Sequence, residues 1–163
     1  MTDIFPDAIF HRLLEILSSS GVPHRIHEHR ETRTVEDAAR TLSFPVDRLV
    51  KTIAFRTRNG DIVLAALRGT RRVDYARLAA LAGVNRRDLF SLSPEEVRDV
   101  TGVEPGSVSP VMPLDGAEVF IDEDVLSITP TIYCGFGRPD RTLEIDAADL
   151  VRLSAGRVAC FSR

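Results

Sequence analysis

Two apolar runs on either side of Asn59-Gly60 constrain the fold more than any other feature of this chain. The first run covers residues 50–56 and the second covers residues 62–67. β-Branched and other apolar residues that flank an Asn-Gly turn are typical of a β-hairpin. The sequence therefore predicts two adjacent antiparallel strands joined at this turn.

The rest of the chain alternates helical and strand patterns irregularly. Capping or stop signals accompany predicted helices over residues 7–20, 35–42, 74–81, 93–101 and 146–153. Short apolar runs predict further strands over residues 24–29, 117–121, 131–135, 142–145 and 158–161. This irregular order, with an antiparallel hairpin, favours an α/β fold of the α+β type, in which helices surround a mixed sheet, over a doubly wound parallel sheet.

Length and composition predict one soluble globular domain over residues 1–163, since 44% of the residues are hydrophobic and 28% are charged. No apolar run approaches the roughly 20 residues that a bilayer-spanning helix needs. The N-terminus lacks the layout of a signal peptide. Cys134 and Cys160 do not make a disulfide framework, and both are expected to be buried. We therefore expect a cytoplasmic protein without a membrane partner.

The formal net charge of −3 argues against non-specific binding of nucleic acid. The basic residues are nevertheless clustered. Arg68, Arg71 and Arg72 follow the second hairpin strand, and Arg86-Arg87 follow the next helix. Such clusters could contact phosphates, or they could be a solvated surface held in salt bridges.

Lys51 is the only lysine among 21 basic residues, so the remaining 20 are arginines. It lies at the start of the first hairpin strand, where alternation places it on the same face as Ile53 and Phe55. These two are the bulkiest apolar residues of the strand, so their face is expected to be a core face. Lys51 would then point inward where a core commonly opens into a cleft. The alternative is a lysine that extends past the rim into water.

Several common catalytic sites are disfavoured by the residues present. All four histidines lie within the first 29 residues, so nothing places one beside a cysteine. His24, His27 and His29 could suggest a metal site, since His27 and His29 share a face of the strand and Glu31 could join them. A site confined to one strand and its following turn is a weak metal signal, so surface histidines are favoured. Gly-x-Ser-x-Gly, Walker and dinucleotide patterns are absent. No metal or other cofactor is therefore expected.

Residues 102–110 form the second informative stretch, with two glycines, two prolines and two serines. This composition excludes regular structure. Glycine at Gly102 and Gly106 would allow the backbone to approach a ligand closely, and successive N–H groups could bind an anionic or developing oxyanionic oxygen. The stretch could equally be a plain surface connection between a helix and a strand.

Taken together, Lys51 within Val50-Lys51-Thr52 and the Gly-x-x-x-Pro element from Gly106 to Pro110 resemble the YbaK/prolyl-tRNA-synthetase-associated domain family. Segments 119–122 and 143–150 also fit in order, so the likeness covers nearly the whole chain. The resemblance implies a mixed, partly barrel-like sheet with surrounding helices. Members are free-standing or synthetase-inserted editing domains that hydrolyse mischarged aminoacyl-tRNA, most often tRNA(Pro) carrying the wrong small amino acid.

The resemblance also implies roles for individual residues. Lys51 would bind the terminal adenosine of the tRNA or its phosphate, and the backbone at Gly102 and Gly106 would surround the ester. Asp122 falls where some members have a pocket carboxylate. The remaining substrate-binding candidates of the 102–110 stretch are Ser107, Val108, Ser109 and Pro110.

One departure from the family concerns specificity. Members that remove alanine from tRNA(Pro) typically carry a pocket histidine in a later strand region, and residues 131–137 contain none. This weakens the case for alanine and leaves cysteine or other small side chains open. Thr131, Tyr133 and Cys134 could shape the amino-acid pocket or could simply pack the sheet.

The predicted function is that of a trans-editing aminoacyl-tRNA deacylase. An aminoacyl ester is already activated, so a positioned water with help from the neighbouring ribose hydroxyl would suffice. The partner would be the aminoacylated acceptor end of tRNA, with prolyl-tRNA synthetase as a further candidate. Two alternatives stay open, namely a non-catalytic tRNA- or nucleotide-binding module and a small-molecule hydrolase unrelated to tRNA.

Overall fold

Helices and strands interleave along residues 7–163, the part of the chain that the computed structural model describes. The helices are α1 (Ala8–Ser20), α2 (Val35–Thr41), α3 (Tyr75–Leu81), α4 (Pro94–Thr101) and α5 (Ala147–Ser154). The strands are β1 (His24–Glu28), β2 (Leu49–Thr57), β3 (Ile62–Arg68), β4 (Leu89–Ser91), β5 (Glu118–Asp122), β6 (Ile132–Gly135), β7 (Arg141–Ile145) and β8 (Arg157–Ala159). None of the described helices is both long and apolar enough to cross a bilayer.

The predicted hairpin is present as β2 and β3, which pair antiparallel across the turn. Lys51 lies opposite Leu67, and Phe55 lies opposite Val63. Gly60 has a φ of 91°, a conformation that glycine adopts without the steric cost of a side chain. The local turn chemistry therefore fixes the register of the two central strands.

The strands form one mixed sheet in the order β1-β7-β6-β2-β3-β5-β8, and β4 pairs with β2 beside this path. The β2–β6, β3–β5 and β5–β8 pairs are parallel, whereas the β1–β7, β6–β7, β2–β3 and β2–β4 pairs are antiparallel. Within residues 7–163, β1 and β8 do not pair with each other, so the sheet does not close. The predicted mixed sheet with surrounding helices is confirmed.

The central strands are buried on both faces. Val50 and Ala54 of β2 contribute to a core that also includes residues of α1, α4 and α5. Phe55 of β2 belongs to a second core on the opposite face, where Leu78 of α3 packs. The prediction that the Phe55 face is a core face is confirmed, and Lys51 at its edge is half-buried. A strand buried on both faces explains why β2 and β3 are apolar runs rather than alternating ones.

All predicted helices and strands are present, with ends displaced by at most two residues. Strand β4 was not predicted, because it has only three residues and only Leu89 among them is buried. Residues 102–110 were expected to lack regular structure, but Pro105–Ser107 form a short 3-10 turn. The capping box at Ser93 and Glu96 is present as the sequence indicated.

Strand β2 changes partner along the edge that faces away from β3. Its start, at Leu49 and Val50, pairs with β6, and its end, at residues 55–57, pairs with β4. Residues 51–54 on this edge have no strand beside them in the described part of the chain. The gap lies next to Lys51, and this opening is where the candidate site is found.

Candidate functional site

A cavity of about 250 Å³ opens beside the start of β2. Its lining comes from the segment that leads into α2, from α2 itself, from β2, from the 105–108 turn, from β6 and from the chain around β7. Residues far apart in sequence therefore meet at the gap in the sheet. Five of the predicted site residues line this cavity: Lys51, Gly106, Val108, Tyr133 and Cys134.

Lys51 differs from the other cations of the cavity lining. Arg33 is paired with Glu31 and Glu104, Arg138 with Asp7 and Asp140, and Arg141 with Glu28 and Asp140. The Lys51 ammonium makes neither a hydrogen bond nor an ion pair within residues 7–163. Burial lowers the pKa of Lys51, nearby Glu36 opposes this shift, and nearby Arg72 adds to it. A half-buried ammonium without a carboxylate partner is suited to bind an anion.

The turn at Gly106 is held by close backbone contacts on two sides. A Cβ atom at Gly106 would lie 2.4 Å from the carbonyl oxygen of Arg33, so no side chain fits there. A Cβ atom at Gly135 would lie 2.9 Å from the carbonyl oxygen of Val108. The Gly137 N–H donates a hydrogen bond to the carbonyl of Ser107 at 2.8 Å. Glycine is therefore required at 106 and 135 because backbone segments pack directly on each other.

The two N–H groups at the end of this turn differ in their hydrogen bonding. The N–H of Ser107 is used by the carbonyl of Glu104. The N–H of Val108, a cavity-lining residue, donates no hydrogen bond within residues 7–163. A rigid N–H group beside a ligand cavity can stabilise negative charge on a bound oxygen.

Four predicted residues of the 102–110 stretch do not line the cavity. Gly102 ends α4 with a φ of 76°, and its N–H donates to Arg98. Ser109 is buried, and its hydroxyl accepts a hydrogen bond from the N–H of Val111. Ser107 and Pro110 are also buried and are not among the lining residues. The buried hydroxyl of Ser107 has no hydrogen-bond partner within residues 7–163.

Asp122 lies outside the cavity and binds the C-terminal segment of the chain. Its carboxylate accepts hydrogen bonds from the N–H groups of Phe161 and Ser162 at 2.9 and 3.1 Å, and from the Ser162 hydroxyl at 2.7 Å. Only 1% of the residue is exposed. The expected pocket carboxylate is therefore a structural residue, because β5 is separated from the cavity by β3.

Asp122→Ala is expected to lower the free energy of unfolding by about 1–3 kcal/mol, because it leaves buried donors without an acceptor. Urea unfolding measures this loss. Asp115→Ala is the matched control, since Asp115 is exposed and makes no side-chain hydrogen bond or ion pair within residues 7–163. Unchanged stability of Asp122→Ala would contradict the structural role.

The ring of Tyr133 contacts both an aromatic ring and a guanidinium group. The ring of Phe44 is parallel to it at 4.2 Å between centroids, and the guanidinium of Arg48 lies 4.8 Å from its centre. Thr131, which does not line the cavity, donates a hydrogen bond from its hydroxyl to Glu144 and accepts one from Arg48. The hydrogen bond from Thr131 lowers the pKa of Glu144, and His27 and Arg48 lower it further. Thr131 thus orients the wall that Tyr133 presents.

The two cysteines have different environments. Cys134 lines the cavity but is fully enclosed, and burial raises its pKa to about 12, so it remains a protonated thiol at neutral pH. Cys160 is exposed and lies 3.4 Å from a guanidinium nitrogen of Arg77, so the expectation that it is buried is wrong. Cys160 directly follows β8, the last strand in the sheet order of residues 7–163.

His27 of β1 and His29, which follows that strand, contact side chains of the neighbouring strand β7. His27 contacts Glu144 at 2.8 Å and His29 contacts Thr142 at 2.7 Å. No group of three or more His, Cys, Asp or Glu residues within 7–163 is arranged to hold a metal ion.

Sequence reasoning missed part of the cavity wall. The missed residues come from the approach to α2, from α2 and from the approach to β7: Thr32, Arg33, Thr34, Val35, Ala38, Leu42, Arg138, Pro139, Arg141 and Thr142. They are ordinary helix, turn and strand residues, and only the tertiary arrangement places them beside Lys51. The pair Arg138-Pro139 after two glycines was the only local sign of an irregular segment there.

Comparison with known protein families assigns this chain to one of them. Residues 29–153 match the family described as the aminoacyl-tRNA editing domain. The chain belongs to this family. The family resemblance expected from Lys51 and the Gly-x-x-x-Pro element is thereby confirmed.

Relatives of this editing domain include parts of much longer proteins. It is 36% identical over 96 residues to the proline–tRNA ligase of Xanthomonas campestris pv. campestris (strain 8004), which is 59% of this chain but only 16% of the ligase. It is 29% identical over 125 residues to the uncharacterised protein YwhH of Bacillus subtilis (strain 168), which is 77% of each chain.

Two solved structures share the fold of the editing domain. Hypothetical protein APE2540 superimposes with a TM-score of 0.84 at 27% identity, over 93% of this chain and 99% of that one. A candidate trans-editing enzyme for prolyl tRNA synthetase superimposes with a TM-score of 0.79 at 28% identity, over 96% of this chain and 98% of that one.

Proposed function

We propose that this editing domain is a trans-editing deacylase that hydrolyses mischarged aminoacyl-tRNA. The proposed substrate is tRNA(Pro) that carries a small non-cognate amino acid such as cysteine or alanine. One observation carries the proposal: Lys51 is the one cation of the described cavity lining without a carboxylate partner. The phosphate at the 3′ end of a tRNA supplies the anion that this ammonium lacks.

The proposed chemistry depends on positioning. Lys51 binds the phosphate of the terminal adenosine, so that the ester enters the cavity beside the 105–108 turn. The N–H of Val108 and the backbone at Gly106 stabilise the negative charge that develops on the carbonyl oxygen. Water attacks the carbonyl carbon, the bond to the ribose oxygen breaks, and the proton lost by the water reaches that oxygen with help from the neighbouring ribose hydroxyl.

Covalent catalysis by Cys134 does not fit this site. Its raised pKa of about 12 keeps the thiol protonated at neutral pH, and a thiol is a far weaker nucleophile than a thiolate. Cys134 and Tyr133 instead shape the part of the cavity that receives the amino-acid side chain. No histidine is among the described lining residues, which is consistent with substrates other than alanine.

The proposed partners are the aminoacylated acceptor end of tRNA and prolyl-tRNA synthetase, which would release the mischarged product. Support for the second partner comes from the proline–tRNA ligases, in which a related segment forms part of the chain. A deacylation panel tests the proposal: tRNA(Pro) charged separately with alanine, cysteine, serine and proline. We expect faster release of at least one non-cognate amino acid than in the absence of protein, with prolyl-tRNA(Pro) spared. Release at the uncatalysed rate for every ester would contradict the proposal.

The lowered pKa of Lys51 predicts how kcat/KM depends on pH in the alkaline range. Since burial lowers this pKa, the ammonium is lost at a lower pH than that of an exposed lysine, and kcat/KM should fall as pH rises through it. Lys51→Arg stays protonated throughout, so its residual activity should lack this fall. Rates are measured from about pH 7 to 10 after subtraction of uncatalysed ester hydrolysis. The same alkaline limb in both proteins would show that Lys51 does not cause it.

A further inference from the structure

The three arginines that follow β3 have different environments. Arg68 donates to the carboxylate of Asp124, and Arg71 lies 3.2 Å from the same carboxylate. The two guanidinium groups therefore share one carboxylate within the fold. Arg72 is exposed and has no carboxylate within ion-pair distance among residues 7–163. Arg72 is thus the one arginine of these three without a carboxylate partner in the described part of the chain.

The backbone of Arg72 is held firmly although its side chain is exposed. Its N–H donates to the carbonyl of Arg163 at 3.0 Å, and the N–H of Arg163 donates to the carbonyl of Arg72 at 2.8 Å. The next residue, Val73, is buried and bridges to Ser162. A fixed backbone means that binding an anion would order only the side chain.

The chain that leads to Arg72 borders the Lys51 cavity. The N–H of Gly69 donates to the carbonyl of Leu49 at 2.7 Å, and a Cβ atom at Gly69 would lie 3.1 Å from Val35. Leu49 and Val35 both line the cavity. Arg72 follows three residues later, and its charge is near enough to contribute to the lowered pKa of Lys51. Arg72 is not part of the cavity lining, but the segment that carries it borders the cavity that Lys51 lines.

We propose that Arg72 binds a backbone phosphate of the RNA strand whose terminal nucleotide Lys51 holds. The inference rests on the proposed function, because it extends the same site along the acceptor end. Two separate cations, one lining the cavity and one on the segment that borders it, suit successive phosphates of an extended single strand, whereas one small anion would occupy only one of them. Arg72 is thus a positioning residue for the 3′ end, outside the reacting ester.

Arg87 provides a matched control for Arg72. It is also exposed and without a carboxylate partner within residues 7–163, so Arg87→Gln changes the net charge equally. It lies in the 3-10 turn Arg86–Asp88 that leads into β4. Strand β4 pairs with the end of β2 that is farthest from Lys51. If only charges near the Lys51 cavity contribute to RNA binding, Arg72→Gln should weaken binding and Arg87→Gln should not.

The experiment measures binding of a fluorescent, uncharged RNA minihelix that has the acceptor stem and CCA end of tRNA(Pro). Anisotropy titrations between about 50 and 200 mM KCl give the dissociation constant and its salt dependence. Arg72→Gln is expected to raise Kd about three- to tenfold and to reduce the slope of log K against log salt by about one, while Arg87→Gln resembles the wild type. Arg72→Lys should restore most of the affinity.

A second ligand tests which phosphate Arg72 contacts. Binding of AMP, which carries only the phosphate assigned to Lys51, should weaken in Lys51→Ala and stay unchanged in Arg72→Gln. Equal behaviour of Arg72→Gln and Arg87→Gln with the minihelix would overturn the inference. So would a loss of AMP binding in Arg72→Gln, or no binding of the minihelix by the wild type at the lowest salt.

Failure of the proposed function remains separable from failure of this inference. If the minihelix binds with an Arg72-dependent salt slope but no mischarged tRNA is hydrolysed, the deacylase proposal fails and the Arg72 contact stands. If hydrolysis proceeds and Arg72→Gln raises neither KM nor the minihelix Kd, the Arg72 contact fails alone. If both proposals hold, Arg72→Gln should raise KM for mischarged tRNA and leave kcat unchanged.

Discussion

Replacement of Lys51 by alanine is expected to abolish deacylation of mischarged tRNA(Pro), with kcat/KM lowered by about 100-fold or more. The variant loses the one unpaired cation of the described cavity lining, so the terminal phosphate has no partner and the ester is not positioned. Stability should change by less than about 1 kcal/mol, because Lys51 makes no ion pair within residues 7–163. Steady-state deacylation and thermal unfolding of the same preparations measure the two effects.

Lys51→Arg separates the role of charge from that of shape. It keeps the positive charge but replaces a compact ammonium on a flexible stem with a rigid, planar fork. We expect activity at least about tenfold below that of the wild type. Undiminished activity of Lys51→Arg would remove the specific role assigned to a primary amine, and undiminished activity of Lys51→Ala would remove the site itself.

Gly106→Ala is expected to have a comparably large effect through the backbone. The new Cβ atom would lie 2.4 Å from the carbonyl oxygen and 2.9 Å from the carbonyl carbon of Arg33, so one of the two segments must move. A displacement of about 1 Å in a positioning element costs about 100-fold in rate, and overpacking costs about 1–3 kcal/mol in stability. Kinetics and urea unfolding of this variant test both.

Gly116→Ala is the control for the stability cost alone. Gly116 has a φ of 78° before β5, so alanine strains the backbone there, but a Cβ atom would meet nothing within 4 Å. We expect reduced stability with full activity per folded molecule. If Gly106→Ala behaved like Gly116→Ala, the 105–108 turn would have no part in catalysis.

Local signals in the sequence predicted the fold well where one turn or cap decides the structure. The Asn59-Gly60 turn fixes the hairpin, and the hairpin fixes the face that Lys51 shares with Phe55. The capping box at Ser93 likewise fixes the start of α4. Each of these features depends on interactions between residues close in sequence, so they are readable without tertiary structure.

Features that depend on contacts between distant segments were not readable. Glycine is required at Gly106 because Arg33 packs on it, and nothing near residue 106 shows this. Asp122 resembled a pocket carboxylate, but its partners are Phe161 and Ser162 at the other end of the chain. The sequence placed Arg68, Arg71 and Arg72 in one cluster. In the structure, Arg68 and Arg71 pair with Asp124, whereas Arg72 has no carboxylate partner within residues 7–163.

The most direct test of the central claim is a multiple-turnover assay of wild-type protein with mischarged tRNA(Pro) in excess. A deacylase releases many equivalents of amino acid per protein molecule, whereas a binding module shields the ester. We expect release that continues well beyond one equivalent and that is lost in Lys51→Ala. Protection of the ester by the wild-type protein, with a lifetime longer than in buffer, would contradict the account.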